Sequence, residues 1–278
     1  MFMARTETSG SGNIKLTLKL LWGGGERPSR GPKPGLTLDR IVATAVGIAD
    51  TEGLEAVSMR RVSTALDVGT MSLYRYVPGK AELLDLMLDR VQREALEADP
   101  GNLTAGTGWR RAVELLARGY LEHYRRHPWL LRVNEARSVL GPSSLRSLEV
   151  ALVPLQGMGL SDPELMSVII SVQSFAGGIA RMEIDTDDAA KETGLSHEEF
   201  WEQQRPYLEQ AMESGQFPVI AALAEDTFSE EFDHFTFGLR RFLDGLEVLV
   251  AERAGRTERT RRTERTERAG RTERREEG

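Results

Sequence analysis

Residues 58–80, "SMRRVSTALDVGTMSLYRYVPGK", decide the fold, because they pair two short helical patterns across a tight joint. Ser58 is a typical helix N-cap, and the apolar residues that follow it recur at helical spacing. The "DVG" at residues 67–69 predicts a turn, and a second short helix is expected from Thr70 to about residue 77. A capped helix, a three-residue turn and a short second helix together predict a helix-turn-helix.

The sequence predicts one further helix on each side of this motif. Thr37 is a suitable cap for a preceding helix that stops at Gly53, and a long amphipathic helix is expected to start at Lys80. We therefore predict an all-α fold. An N-terminal three-helix helix-turn-helix domain is expected at residues 36–82, followed by a C-terminal helical domain at residues 83–254.

The second helix of the motif carries side chains that suit DNA recognition. Leu73 and Val77, four residues apart, are expected to face inward. The opposite side then presents thioether, aromatic and guanidinium groups, which fit a major groove. These residues are Met71, Tyr74 and Arg75, with Ser72 at the edge of the face and Arg60 near the same groove. Lys80 is expected to contact a phosphate. The alternative is a small bundle with an ordinary exposed basic face.

The charge of the chain is unevenly distributed. The net charge is −7, yet residues 1–80 carry 11 Lys and Arg against 7 Asp and Glu. Residues 81–254 carry 16 basic against 30 acidic side chains. Only the N-terminal part can therefore approach a polyanion without repulsion, as expected for nucleic-acid binding confined to one end of the molecule.

Both ends of the chain are expected to lie outside the packed domains. Residues 1–35 are rich in Gly, Ser and Pro and predict a flexible extension, within which residues 14–22 can form a short helix. The last part of this extension is interpreted either as a basic arm for the minor groove or as a solvated linker. Its basic residues are Arg27, Arg30 and Lys33. The Thr-Glu-Arg repeat at residues 255–278 predicts a disordered tail.

Composition and motifs argue against several classes of protein. The chain has no cysteine, which excludes disulfides and thiolate chemistry. No apolar run reaches the length of a membrane span, and Lys15 and Lys19 interrupt the N-terminal apolar segment, unlike a signal peptide. No phosphate-binding loop, metal-ligand cluster or nucleophile motif is visible, which argues against an enzyme. We expect a cytoplasmic protein without a cofactor or a membrane partner.

Residues 36–89, with "VGTMSLYRYVPGKAELL" at their centre, closely resemble the DNA-binding domain of the TetR family of transcriptional regulators. The remainder resembles the tetracycline-repressor-like C-terminal domain of that family, most clearly at "LEHYRRHPWLL", residues 121–131. The resemblance implies a homodimer that represses transcription from a palindromic operator and releases it when a small molecule binds. It makes residues 36–82 the DNA-binding domain and residues 83–254 a C-terminal helical ligand-binding and dimerisation domain. It implies base-reading roles for Arg60, Thr70, Met71 and Ser72. It implies phosphate or backbone contacts for Ser58, Tyr74, Tyr76 and Lys80.

Two apolar stripes are candidates for a dimer interface. One helix is expected from residue 229, opened by a capping box of Thr227 and Glu230, and a second after residue 161. The stripes are Phe232, Phe235, Leu239, Phe242, Leu246 and Leu249 on the first, and Leu165, Ile169, Val172, Ala176 and Ile179 on the second. Two such helices from each subunit would form a four-helix interface. The alternative is that both stripes belong to the core of one subunit.

The effector pocket is expected between the helix at residues 109–127 and the helix after residue 161. Its candidate residues are Tyr120, His123, Tyr124, His127, Trp129, Gln173, Phe175 and Met182. His123 and His127 share a helical face, but no third metal ligand accompanies them, so no metal is expected. Ordinary core or surface histidines are the alternative. Leu116 stands where tetracycline-binding relatives carry an asparagine, which argues against tetracycline with magnesium.

Three classes of function follow from these observations. The first is a ligand-responsive dimeric repressor whose partners are double-stranded operator DNA, a small-molecule effector and a second copy of the chain. The second is a DNA-binding regulator without a small-molecule effector, controlled by a protein partner or by its own abundance. The third, an enzyme, has no sequence motif in its favour.

Overall fold

The computed structural model describes residues 7–23, 35–98, 106–224, 227 and 232–276, with side chains described as far as residue 256. The helices are α1 (Ile14–Trp22), α2 (Leu38–Glu52), α3 (Met59–Ala65), α4 (Thr70–Leu73), α5 (Lys80–Ala98), α6 (Trp109–Arg126), α7 (Pro142–Leu152), α8 (Asp162–Thr193), α9 (His197–Glu213), α10 (Pro218–Ala221) and α11 (His234–Glu276). Short 3-10 turns occur at Leu54–Ala56, Pro128–Arg132 and Val153–Met158. Two short strands, β1 (Glu7–Thr8) and β2 (Val133–Asn134), pair in parallel.

Helices α2 to α4 form the N-terminal head around one apolar core. The Thr37 hydroxyl accepts the Arg40 N–H at 3.1 Å and caps α2, and Gly53 ends it with φ of 85°. The Ser58 hydroxyl caps α3 by accepting the Arg61 N–H at 3.1 Å. The side chains that meet at the centre are wholly buried, among them Ile41, Val62, Leu73 and Val77. The predicted three-helix head is thereby confirmed.

The second helix of the motif is shorter than the sequence predicts. It ends at Leu73, and the chain continues to Val77 as turns, closed by the Val77 N–H donating to the Leu73 carbonyl at 2.9 Å. Pro78 explains the difference, because its ring disfavours helical geometry in the residue before it and it has no N–H to donate. Leu73 and Val77 nevertheless both face inward, as predicted.

The C-terminal body is built around α6 and α8, which pack along each other. Small residues on α6, such as Ala112 and Ala117, allow the approach, and α11 covers both helices with Phe235 and Leu239. Among the described residues, α8 is long and apolar enough, by length and composition alone, to cross a membrane. Six of its residues are buried inside the protomer, which is the behaviour of a core helix.

Two helices extend beyond their apolar parts, and one of them includes the tail that the sequence predicts to be disordered. Residues 183–193 extend α8 to Gly194, whose φ of 71° ends the helix, and the Thr-Glu-Arg repeat extends α11 to Glu276. The tail is rich in Arg and Glu, which favour a helix. An ion pair between Arg256 and Glu252, one turn apart at 3.6 Å, adds to this in the tail.

The start of α11 also differs from the prediction. The helix begins at His234, where the Asp233 carboxylate accepts the Thr236 N–H at 2.8 Å. The capping box predicted between Thr227 and Glu230 involves a residue outside the described part of the chain.

The two predicted interface stripes pack largely inside the protomer. Phe235, Leu239 and Leu246 on α11 are buried, as are the residues of the α8 stripe up to Ala176. Phe232 departs from the stripe and is half exposed. A helical repeat shows which residues share a face but not what covers that face. Here α6 packs against both α8 and α11 and covers the two stripes. The alternative interpretation, a core within one subunit, fits these residues.

The N-terminal segment is ordered against the rest of the chain. The helix predicted at residues 14–22 forms as α1 and packs on α5. The preceding residues, expected to be flexible, form β1 and hydrogen bond to α5 and to the chain around β2.

Candidate nucleic-acid and effector sites

The outer face of α4 presents the side chains predicted for DNA recognition. Met71 is 77% exposed and Tyr74 is 45% exposed, although both are large. Arg75 and Arg60 are exposed beside them, and Ser72 lies at the edge of the face. Large exposed side chains on a rigid short helix mark a binding surface. The side chains predicted to read the major groove therefore share one exposed side of the motif.

Hydrogen bonds fix the angle between α3 and α4. The buried Ser63 hydroxyl lies 2.9 Å from the Thr70 hydroxyl and donates to the Arg60 carbonyl at 2.9 Å. Thr70, predicted as a base contact, is thus also the link that orients α4. Arg61 is held differently from its neighbour, because its guanidinium forms a two-point ion pair with Glu52. Of these two adjacent arginines, Arg61 is held by this ion pair, whereas Arg60 is exposed on the side of Met71 and Tyr74.

Three of the predicted phosphate or backbone contacts make hydrogen bonds within the chain. The Tyr76 hydroxyl donates to the Leu36 carbonyl at 3.0 Å, and Ser58 caps α3. The Lys80 ammonium lies 3.0 Å from the Glu7 carboxylate and donates to the Leu54 carbonyl at 3.4 Å. The predicted arm residues Arg27, Arg30 and Lys33 lie outside the described residues.

A polar cluster with two buried members joins the head to the body. The Trp129 indole N–H donates to an Asp50 carboxylate oxygen at 2.7 Å, and His127 Nδ1 lies 2.7 Å from the same oxygen. Because a carboxylate only accepts hydrogen bonds, Nδ1 carries the proton. His127 is 3% exposed and Trp129 is 2% exposed. The sequence predicts that both line the effector pocket, and the structure instead uses them to hold α2 against the turn after α6.

The sequence pattern does not single out Asp50, although one signal is present. A carboxylate in the last turn of a helix lies at the negative end of the helix dipole, where it is unfavourable. Asp50 occupies such a position in α2. A residue placed against its local preference commonly has a distant partner, and here the partners lie 77 and 79 residues away.

Part of the predicted effector pocket does come together where α6 meets α8. The Gln173 amide donates to the Tyr124 hydroxyl at 3.2 Å, and the His123 ring lies beside both Tyr124 and His127. Tyr120 packs against the same core. These four residues, Tyr120, His123, Tyr124 and Gln173, are named the effector cluster below.

The effector cluster is electrically neutral at physiological pH. Burial, followed by repulsion from His127 and Arg126, lowers the pKa of His123 to about 4. Burial raises the pKa of Tyr120 to about 12. The His123 Nε2 atom is buried and has no hydrogen-bond partner within the described part of the protein. An unsatisfied ring nitrogen in the core is unusual, and a ligand with a polar group would satisfy it.

The other predicted pocket residues lie elsewhere. Phe175 stacks on Phe235 with the ring centroids 5.6 Å apart, which places it in the α8–α11 contact. Met182 is 50% exposed further along α8. A separate open cleft of about 1130 Å³ lies between the head and the body and includes Trp129 among its lining residues. Its other walls are mostly charged, with Arg125, Arg181 and Asp187 among them, unlike the apolar pocket that the sequence predicts.

Metal binding is not expected from the sequence. The described residues contain no group of three or more His, Cys, Asp or Glu side chains arranged to hold a metal ion.

Comparison with known proteins agrees with this arrangement of head and body. Residues 41–87 match the model of bacterial regulatory proteins of the tetR family, and residues 102–250 match the tetracyclin repressor-like C-terminal domain. The chain is 59% identical over 250 residues to the HTH-type transcriptional repressor DrrR1 of Streptomyces coeruleorubidus, covering 90% of this chain and 92% of that protein.

Solved structures give the same result for the fold. Apo ActR from Streptomyces coelicolor matches with a TM-score of 0.59 and 28% identity, over 80% of this chain and 99% of that one. ActR in complex with actinorhodin matches with a TM-score of 0.56 and 28% identity, over 80% and 97% of the two chains. With both of its domains matched in sequence and in structure, this chain belongs to the TetR family of bacterial regulatory proteins.

Proposed function

We propose that the protein is a ligand-responsive, dimeric, cytoplasmic repressor that binds operator DNA through α3 and α4. The observation that carries this proposal is the outer face of α4, where Met71 and Tyr74 are exposed on a head whose core is closed. The repressor DrrR1, which is similar over most of its length, supports repression as the mode of action. Nothing in the described site suggests catalysis, and regulation alone accounts for its residues.

The effector is proposed to bind at the effector cluster between α6 and α8. His123 offers a neutral buried nitrogen, and the phenols of Tyr120 and Tyr124 stay protonated. Such a lining suits an uncharged or weakly charged organic molecule with a flat apolar body and a few polar groups. The similar protein ActR, which binds actinorhodin, supports a small-molecule effector over control by a protein partner.

The first test concerns base recognition. We expect Arg60→Ala to weaken operator binding by about 1–3 kcal/mol and to relax the preference at one base position. An operator selected from random sequences and its single-base variants would be titrated by fluorescence anisotropy. Arg61→Ala is the matched control, because Arg61 is paired with Glu52. Equal relaxation of base preference in the two variants would contradict the assignment of Arg60.

The dimer interface is proposed on the outer face of α8, opposite the stripe that packs in the core. Ile170 is 56% exposed there. The other residues of this face are small and exposed, namely Ser167, Ser171, Ser174 and Gly178. Small side chains around one apolar residue allow a second helix to approach closely. On α11, Val248 is 61% exposed and can contribute to the same contact.

The second test concerns this interface. We expect Ile170→Glu to raise the dimer dissociation constant by about tenfold or more, because two charges would be buried without partners at the symmetric contact. Sedimentation velocity over a range of concentrations measures the change. Met71→Glu, an equal charge change on the head, should bind DNA poorly yet remain dimeric. Unchanged sedimentation of Ile170→Glu would place the interface elsewhere.

A further inference from the structure

Residues 7–22, named the strap below, lie outside both matched family models, which cover residues 41–87 and 102–250. The strap consists of β1, a tight turn and α1. It touches both the part of α5 that follows the head and the part of the body around β2. It is therefore an addition that spans the boundary between the DNA-binding and regulatory parts of the chain.

The strap is attached to the body by backbone and side-chain hydrogen bonds. Beyond the β1–β2 pairing, the Ser9 N–H donates to the Asn134 carbonyl at 3.1 Å. The Val139 N–H donates to the Ser9 hydroxyl at 3.3 Å. At the far end, the Trp22 indole N–H donates to the Leu140 carbonyl at 3.1 Å. The strap thus has a defined position rather than resting loosely on the surface.

Two buried carboxylates of α5 hold the other side of the strap. Asp85 accepts the Ser9 hydroxyl at 2.7 Å and the Gly10 N–H at 3.0 Å through one oxygen. Glu82 accepts the Asn13 N–H at 2.8 Å. A side chain at Gly12 would place its Cβ 2.5 Å from a Glu82 oxygen, so any larger residue there would displace the carboxylate that accepts the Asn13 N–H.

This docking brings Glu7 to Lys80 at the start of α5. The Glu7 carboxylate lies 3.0 Å from the Lys80 ammonium, with the side chains 34% and 32% exposed. The N-terminal end of a long helix favours an anion, and a lysine there favours it further. Lys80 is also the residue expected to contact a DNA phosphate. The Glu7 carboxylate therefore sits against the cation that a phosphate would need.

We propose that the strap is an intramolecular competitor for the DNA backbone, with Glu7 taking the place of a phosphate at Lys80. The inference rests on the proposed DNA contact of Lys80. An isolated, partly exposed ion pair is weak. Glu7, however, is tethered by the bonds of Ser9 and Gly10, and tethering gives it a high effective concentration. DNA must displace Glu7 before one of its phosphates can reach Lys80, so the docked strap lowers DNA affinity.

The experiment compares the full-length protein with Glu7→Gln, using a mixed-sequence 30-base-pair duplex as the probe. Fluorescence anisotropy across a series of salt concentrations gives the affinity and its salt dependence. We expect Glu7→Gln to bind about two- to fivefold more tightly at low salt, the range of an exposed ion pair. The slope of log affinity against log salt should steepen by about 0.9 for each additional DNA phosphate that the variant neutralises.

Glu55→Gln is the matched control for overall charge. Glu55 is exposed and adjoins Leu54, whose carbonyl is the other partner of Lys80, yet among the described residues the ion pair of Lys80 is with Glu7. Both variants change the net charge equally. If the two bind DNA equally well, the effect is general electrostatic attraction and the competition proposed for Glu7 is wrong.

A double-mutant cycle with Lys80→Ala separates this inference from the proposed DNA contact. We expect Lys80→Ala to weaken binding and flatten the salt dependence, and Glu7→Gln to have no further effect in that background. Weaker binding by Lys80→Ala with no effect of Glu7→Gln would refute the competition but leave the DNA contact intact. If neither variant changes binding, Lys80 does not contact DNA, and the competition and the contact are both refuted.

Discussion

Phe235→Ala should lower the free energy of unfolding by about 3–5 kcal/mol, the loss expected for a large aromatic side chain removed from a core. The ring is 6% exposed and stacks on Phe175 with the centroids 5.6 Å apart. The Arg118 guanidinium also lies over this ring, 5.8 Å from its centroid. Removing the ring therefore opens a cavity between α8 and α11 and also ends an aromatic and a cation–π contact.

Denaturant unfolding followed by circular dichroism measures this loss, and Phe200→Ala is the control. Phe200 is 46% exposed on α9, a helix that buries none of its residues in the protomer, so its removal should change stability by less than about 0.5 kcal/mol. The comparison also decides how the apolar stripe of α11 is used. If Phe235→Ala becomes monomeric but keeps the stability of its protomer, the stripe on α11 forms the subunit interface after all.

Asp50→Ala should lower stability by about 2–5 kcal/mol, because it leaves two buried donors without an acceptor. Those donors are the Trp129 indole and His127 Nδ1, both 2.7 Å from Asp50. The change also cuts the main polar link between the head and the body. We expect calorimetry to show a single unfolding transition in the parent protein and a separate, earlier transition of the head in the variant.

Asp50→Asn is the graded comparison for this link. An amide keeps one acceptor oxygen but brings N–H donors of its own, so it can serve one partner well and the other poorly. The stability of Asp50→Asn should therefore lie between that of the parent protein and that of Asp50→Ala. Glu55→Ala, an exposed change nearby, should have little effect. A loss in Asp50→Ala no larger than in Glu55→Ala would mean that His127 and Trp129 find other partners.

The head is predictable from the sequence because its signals are local. The caps at Thr37 and Ser58, the turn at residues 67–69 and the spacing of Leu73 and Val77 each act within one or two helical turns. The predicted end of α4 is wrong, because apolar spacing extends past the point where Pro78 stops the helix. The same spacing correctly predicts that Met71 and Tyr74 point away from the core. Their contacts with DNA stay a prediction.

The body is harder to predict because its contacts join distant parts of the chain. Helical spacing groups Phe235 with Leu239 correctly, but it does not reveal whether a neighbouring helix or a second subunit covers the group. The roles of His127 and Trp129 depend on Asp50, which no local pattern connects to them. The effector cluster is partly predictable, since Tyr124 and Gln173 do meet, whereas Met182 faces solvent.

The docked strap has a consequence for the order in which a nascent chain folds. Its residues are synthesised well before their partners, because β1 pairs with a strand that begins at Val133, and Trp22 bonds to Leu140. At about 5–20 residues per second, synthesis needs roughly 6–25 s to go from the strap to that region. The helix-turn-helix can close during this interval, because its core contacts are short in sequence. The strap is therefore made before the helix-turn-helix but reaches its native position after it.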